Sequence, residues 1–241
     1  MKKFFFCLLI LAIFSCKSSL MNYALEKKGV YTDVVSIREF NRDNSSIVFF
    51  EISHIGTELY YEDYKSKIDS LLKKDYFFYL EAITATETND SVNRKFIKII
   101  RVPFQKKGYV GTLDSIFSAK GIKLKKKLIN QPSNDSMGLN ANNCLNVDVS
   151  LKEIVDYYES KYHPIILEPC DFVVSLYDKP KCPIKLEKEI RDDIILNFRN
   201  NNVLENLSKE KRQKVAIIYG RGHLKGISEG LIKMGYTESI K

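Results

Sequence analysis

Residues 45–83 read SSIVFFEISHIGTELYYEDYKSKIDSLLKKDYFFYLEAI, and this stretch decides the fold. Ser45 to Ile52 is a nearly continuous apolar run, the pattern of a strand covered on both faces rather than a half-exposed one. From Leu59 to Lys74, the residues Leu59, Tyr64, Ile68, Leu71 and Leu72 approximate one helical stripe, with lysines and aspartates opposite. Tyr76 to Ile83 is a second buried strand. Strand, helix, strand with short joints is a βαβ unit, so a parallel pair with a right-handed crossover is expected.

Working outward, Asn93 to Pro103 fits a strand or a helix, and Thr112 to Ala119 reads as a short helix closed by Gly121. Lys123 to Asn130 is a strand candidate, and Gln131 to Asn143 is loop composition. Leu145 to Val149 is a further strand candidate. Ser150 with Glu153 three residues on is a capping box, predicting a helix through Ser160. Ile184 to Leu207 reads as a long helix broken or bent near Asn200 to Asn202. Lys214 to Tyr219 is a third short buried strand, and Leu224 to Met234 a closing helix ended by Gly235. The expectation is one α/β domain over residues 44–241 with a largely parallel central sheet flanked by helices.

The N-terminus has a different character. Lys2 and Lys3 precede an apolar run from Phe4 to Phe14 that is too short for a bilayer span, which needs about 20 residues, but has the length of a signal-peptide core. Ile13-Phe14-Ser15-Cys16 resembles a lipobox, so residues 1–15 are read as a signal peptide and Cys16 as the lipidated residue. Residues 16–43 are then a lipidated tether and lead-in segment. The expected location is exported and anchored to a bacterial-type cell membrane, inner or outer. Loss of Lys2 and Lys3 lowers the formal charge of +8 to +6. The excess sits in short runs, chiefly Lys123 to Lys127 and Lys209 to Lys214. An exported chain without a basic stripe interleaved with aromatics is not read as a nucleic-acid binder. Loose attraction of the lysines to anionic headgroups stays open. Of the remaining cysteines, Cys144, Cys170 and Cys182, the last two flank a proline-rich loop where an oxidising compartment permits a bridge.

Three polar residues share one address. His54 follows the first buried strand, Glu81 lies near the end of the second, and His223 follows the last. Carboxyl ends of parallel strands face a common crevice, where ligands bind in open α/β sheets. Two imidazoles and a carboxylate there supply a divalent-metal site with an open position, or an acid–base pair without metal.

Phe49-Phe50-Glu51-Ile52-Ser53-His54-Ile55-Gly56-Thr57, with Asp75 and Leu80-Glu81, resembles the opening of the TraB/PrgY/GumN family, related to the TIKI proteases. Gly220-Arg221-Gly222-His223-Leu224-Lys225-Gly226 resembles that family's closing GxxH segment. Asn146 to Leu151 is similar to the stretch before its central helix, and Arg191-Asp192 to the arginine-bearing start of its long C-terminal helix. The resemblance runs in order from Ser45 to Tyr236. It implies a fold shared with the erythromycin-esterase and ChaN-like group and, for TIKI-type members, metal-dependent peptide hydrolysis. On that basis His54, His223 and Glu81 would hold a divalent cation, Glu81 or Glu51 would take a proton from its bound water, and Arg191 would stabilise the oxyanion. Gly220 matches the closing motif's glycine. Glu51 departs from the family, standing where the first motif has glycine.

Gly220-Arg221-Gly222 with Gly226 also resembles a dinucleotide-binding loop, but too few residues follow for the strand and acidic residue that such a fold requires. The alternative from another class is a non-catalytic lipoprotein that captures a peptide or small ligand in the same crevice.

Overall fold

The computed structural model describes residues 17–84, 89–104 and 117–239. Its first element, a helix over residues 17–27 (α1), ends at Gly29, whose φ of 70° suits the left-handed turn after a helix. Where the sequence indicated only a lead-in segment, Ile37–Arg42 forms a strand, β1. It pairs antiparallel with Ser45–Ile52 (β2), which runs as expected, its last six residues buried.

A two-residue strand, Ile55–Gly56 (β3), leads into the helix Glu58–Leu72 (α2), capped by the Thr57 hydroxyl accepting from the Tyr60 amide. Tyr64, Ile68 and Leu71 are buried as the stripe predicts. Leu59 is instead 57 % exposed, and Tyr60 and Tyr61, one and two positions on, take its place in the core. Phe77–Leu80 is β4. The ambiguous stretch after it is helical, Asp90–Ile100 (α3). Of the strand expected over Lys123 to Asn130, only Ile129–Asn130 (β5) forms, paired with β3. Most of the helix expected from Thr112 lies outside the described residues.

Cys144–Asn146 (β6) precedes Leu151–Lys161 (α4), which begins with the anticipated Ser150–Glu153 capping box. The long helix comprises Lys188–Asp192 (α5), a π turn at Asp193–Asn197, and Phe198–Lys209 (α6). Its irregularity therefore lies upstream of Asn200, and the three asparagines are helical. Lys214–Gly220 (β7), the turn Arg221–His223, Leu224–Lys233 (α7) and Thr237–Ser239 (β8) close the fold.

The main sheet has the order β6-β4-β7-β2-β1-β8. β6, β4, β7 and β2 are parallel, and β1 and β8 are antiparallel additions on one side. This is the α/β class expected, with one correction: β2 and β4 are parallel but not neighbours, because β7 lies between them. Alternation divides the core. Val48, Phe50, Phe78 and Ile218 face α2, while Phe49, Tyr79 and Ile217 face α6 and α7 through Val203, Leu207, Ile227 and Leu231. A third cluster joins α3 and α4 to Ile194 of the π turn. Nearby, Cys170 and Cys182 are disulfide-bonded, and buried Lys98 is held by Asp171 at 2.6 Å and Glu168 at 3.1 Å.

α7 approaches α6 closely through two glycines one turn apart. A β-carbon at Gly226 would lie 2.2 Å from Asn200 Nδ2, and one at Gly230 2.1 Å from Leu204 Cδ1. Gly230→Ala should therefore destabilise the protein by about 1–3 kcal/mol through overpacking, despite the better helix propensity of alanine. Urea unfolding measures this, and an unchanged midpoint would mean that Leu204 moves aside freely.

Candidate functional site at the carboxyl edge of the sheet

Parallel register places the ends of β4, β7 and β2 on one rim: Leu80 pairs with Ile218, and Ile52 with Gly220. Glu81 follows Leu80 directly, on the pleat face of Tyr79. The turn after β7 carries His223 back over that face. There the two side chains meet, His223 Nε2 lying 3.4 Å from Glu81 Oε1. Both are shielded, with side chains 4 % and 12 % exposed.

A third residue completes the contact. Arg199, in the first turn of α6, donates from Nη2 to Glu81 Oε1 at 2.7 Å and approaches His223 Nε2 through Nη1 at 3.1 Å. Its guanidinium is also gripped by Asp148, Nε to Oδ1 at 2.9 Å and Nη2 to Oδ2 at 2.6 Å, the two-point pairing that its planar fork favours. The π turn contributes directly, since the carbonyl of Ile195 accepts from Nη1 at 3.2 Å. Asn200, the next residue, bonds His223 Nδ1 through Oδ1 at 2.7 Å. With Nδ1–H donating to Asn200, Nε2 keeps its lone pair toward Arg199, and all these contacts are mutually consistent.

Gly220 serves the same carboxylate. Its amide donates to Glu81 Oε2 at 2.6 Å, and a β-carbon there would stand only 3.3 Å from that oxygen. The glycine thus favours close approach and is not there for unusual torsion. Burial works against ionisation of Glu81, but the proximity of His223, the charge of Arg199 and the Gly220 amide outweigh it and hold the carboxyl down to about 2. Burial likewise opposes the charge on Arg199, and Asp148 and Glu81 more than reverse this, raising its pKa. Tyr219 packs edge-on to His223 with ring centroids 5.2 Å apart. Its hydroxyl is buried without a partner among the described residues.

The other expected residues lie apart from this network. His54 is exposed, and its Nδ1 faces Gln131 Oε1 at 2.9 Å; no hydrogen bond or ion pair joins it to Glu81 or His223. Glu51 is buried, but Oε1 accepts from Ser36 at 2.8 Å and Arg38 at 3.0 Å, while Oε2 faces Arg221 at 3.4 Å. It anchors β1 and the last turn to β2. Arg191, with its side chain 59 % exposed, lies 3.7 Å from Asp192 and reaches none of these groups. The helix arginine of the site is Arg199, eight residues later. Cys16 lies outside the described residues.

This arrangement does not fit a divalent cation. Among the described residues, the only group of three His, Cys, Asp or Glu ligand atoms within 4.8 Å of one another is Glu168, Cys170 and Cys182, and its two sulfurs are spent in the disulfide. At the rim, the guanidinium of Arg199 lies against both Glu81 Oε1 and His223 Nε2, a cation already occupying the lone pairs that a metal would need. Fold and site together define an α/β protein with a carboxylate–imidazole–guanidinium network at the carboxyl end of its parallel strands. Comparison of the chain with protein-family models, curated proteins and solved structures found no match.

Proposed function

We propose that this chain is a lipid-anchored, exported hydrolase of the TraB/GumN type, acting on peptides by acid–base chemistry centred on His223. The observation that carries the reading is the meeting of Glu81, His223 and Arg199 at one strand-end rim. Asn200 fixes the imidazole through Nδ1, so Nε2 is the atom that takes a proton from attacking water once Arg199 Nη1, which caps it at rest, releases it. A carboxyl held at about 2 stays ionised at neutral pH. Glu81 is therefore the charge partner of the imidazolium that forms, and not the proton carrier. Arg199 is held by Asp148, and the Nη1–H that rests on His223 is the one it would give up to a developing oxyanion, a position that exposed Arg191 does not share.

The experiment is hydrolysis of a fluorogenic peptide library by purified mature protein. Turnover should survive a chelator and fall at least about a hundredfold in His223→Ala, with the fold checked by circular dichroism. Loss of turnover on chelation would restore the metal mechanism. A second reading, capture of a peptide or small ligand without turnover, is favoured by Glu51, a locked carboxylate where the family motif has glycine. Ligand retention by a protein that cleaves nothing in the library would establish it.

A further inference from the structure

Part of the segment read as a tether and lead-in is bound to the domain. The described part of α1 starts at residue 17, next to Cys16 in the chain, and it is clamped to the lysine-rich segment: the Lys123 amide donates to Ser18 Oγ at 3.0 Å, Asn22 Nδ2 donates to the Lys123 carbonyl at 2.8 Å, and the Lys125 amide donates to Asn22 Oδ1 at 2.8 Å. α1 also carries two large apolar side chains one turn apart in open solvent, Leu20 at 69 % and Tyr23 at 64 % exposure. Along the same two stretches of chain, Lys27, Lys28, Lys120, Lys123 and Lys127 are exposed and form no ion pair among the described residues. The neighbouring acids are neutralised, Glu26 by Lys125 at 2.9 Å and Asp33 by Lys126 at 2.6 Å.

We infer that α1 and the Lys123–Lys127 segment form a docking surface for an anionic bilayer, with Leu20 and Tyr23 entering the headgroup boundary and the lysines meeting lipid phosphates. Three features select that occupant. The face adjoins the proposed lipidation site. Those five exposed lysines are not paired with carboxylates among the described residues. It exposes a tyrosine and a leucine among lysines, the composition of an interfacial helix. The orientation of the domain follows. The far end of α1 touches the turn that carries His223, because Arg221 Nη1 donates to the Lys28 carbonyl at 3.1 Å. Eleven helical residues span about 16 Å, so the rim of the candidate site is held near the bilayer rather than swinging on a tether.

The surface rests partly on the lipid-anchor reading, and the test separates the two. The chain contains no tryptophan, so Tyr23→Trp provides a single reporter. It is placed in the mature chain carrying Cys16→Ser, which has no acyl chain, and mixed with vesicles of phosphatidylcholine alone or with a quarter phosphatidylglycerol. On the anionic vesicles, emission should shift to the blue and be quenched by lipids brominated near the headgroup. Lys123→Gln with Lys127→Gln should weaken partitioning about 25-fold, on the order of fivefold per lysine. Unshifted, unquenched emission on anionic vesicles, or equal partitioning of the double variant, overturns the inference. Fatty-acid labelling of the unaltered chain tests the anchor alone, and an unlabelled Cys16 would sink that reading while leaving the vesicle result standing.

Discussion

Arg199→Leu should cost about 3–5 kcal/mol of stability, because it leaves two carboxylates facing each other without a cation. Asp148 has a side chain with 0 % exposure and Glu81 one with 12 %, so neither finds water as a substitute partner. A loss of that size removes a large part of the 5–15 kcal/mol typical of a domain, and the variant should unfold at low urea. Arg199→Lys should recover only part of it, since an ammonium cannot pair with both oxygens of Asp148 while reaching Glu81. Adding Asp148→Asn to Arg199→Leu should restore stability, as one buried charge is then removed with the other. A cost under about 1 kcal/mol for Arg199→Leu would mean that the network opens to solvent and is no closed floor to the site.

The second large effect is on acid stability. The Glu81 carboxyl titrates near 2 in the folded protein, against 4.5 as its ordinary value. Its depressed pKa contributes stability that is complete above about pH 4.5 and is lost as pH falls through 2. The difference corresponds to about 3 kcal/mol. Glu81→Gln should lower stability at pH 7 by a similar amount, since an amide facing Arg199 and the Gly220 amide loses the charge-assisted bonds. Its unfolding free energy should also decline less steeply between pH 4.5 and 2, so the two proteins converge in acid. Parallel urea-derived curves across that window would show that the network does not bind the carboxylate preferentially.

The parts of this molecule legible in its sequence are those where burial on both faces writes a simple pattern. β2 and β7 were delimited within a residue, because apolar runs such as Ile47 to Phe50 and Val215 to Tyr219 permit little else. β1 escaped because only Phe40 of its six residues is fully buried, and so polar a strand looks like a linker. At the site, Glu81 and His223 were found from strand ends alone. The same argument placed His54 on the rim but could not say that its side chain faces solvent and Gln131. Arg199 was missed for a physical reason. It stands beside Asn200, Asn201 and Asn202, poor helix formers that read as a break. In the fold two of those amides are engaged elsewhere, Asn200 with His223 and Asn202 with the Val147 carbonyl. Helix-averse residues inside a helix were the available signal, a local conflict of the kind tolerated where side chains have tertiary duties.

The strand order carries one more consequence. β7, which joins β4 to β2, comes from residues 214–220 of a chain of 241. The β1–β2 hairpin is local and can zip early, yet β2 and β4 are joined by backbone hydrogen bonds only through β7, a strand far later in the chain than either. Closure is thus a late and long-range event, slow in the way that non-local parallel pairing is slow. Until β7 arrives the sheet is two unjoined pieces, and a single insertion between strands already present completes the hydrogen bonding across it.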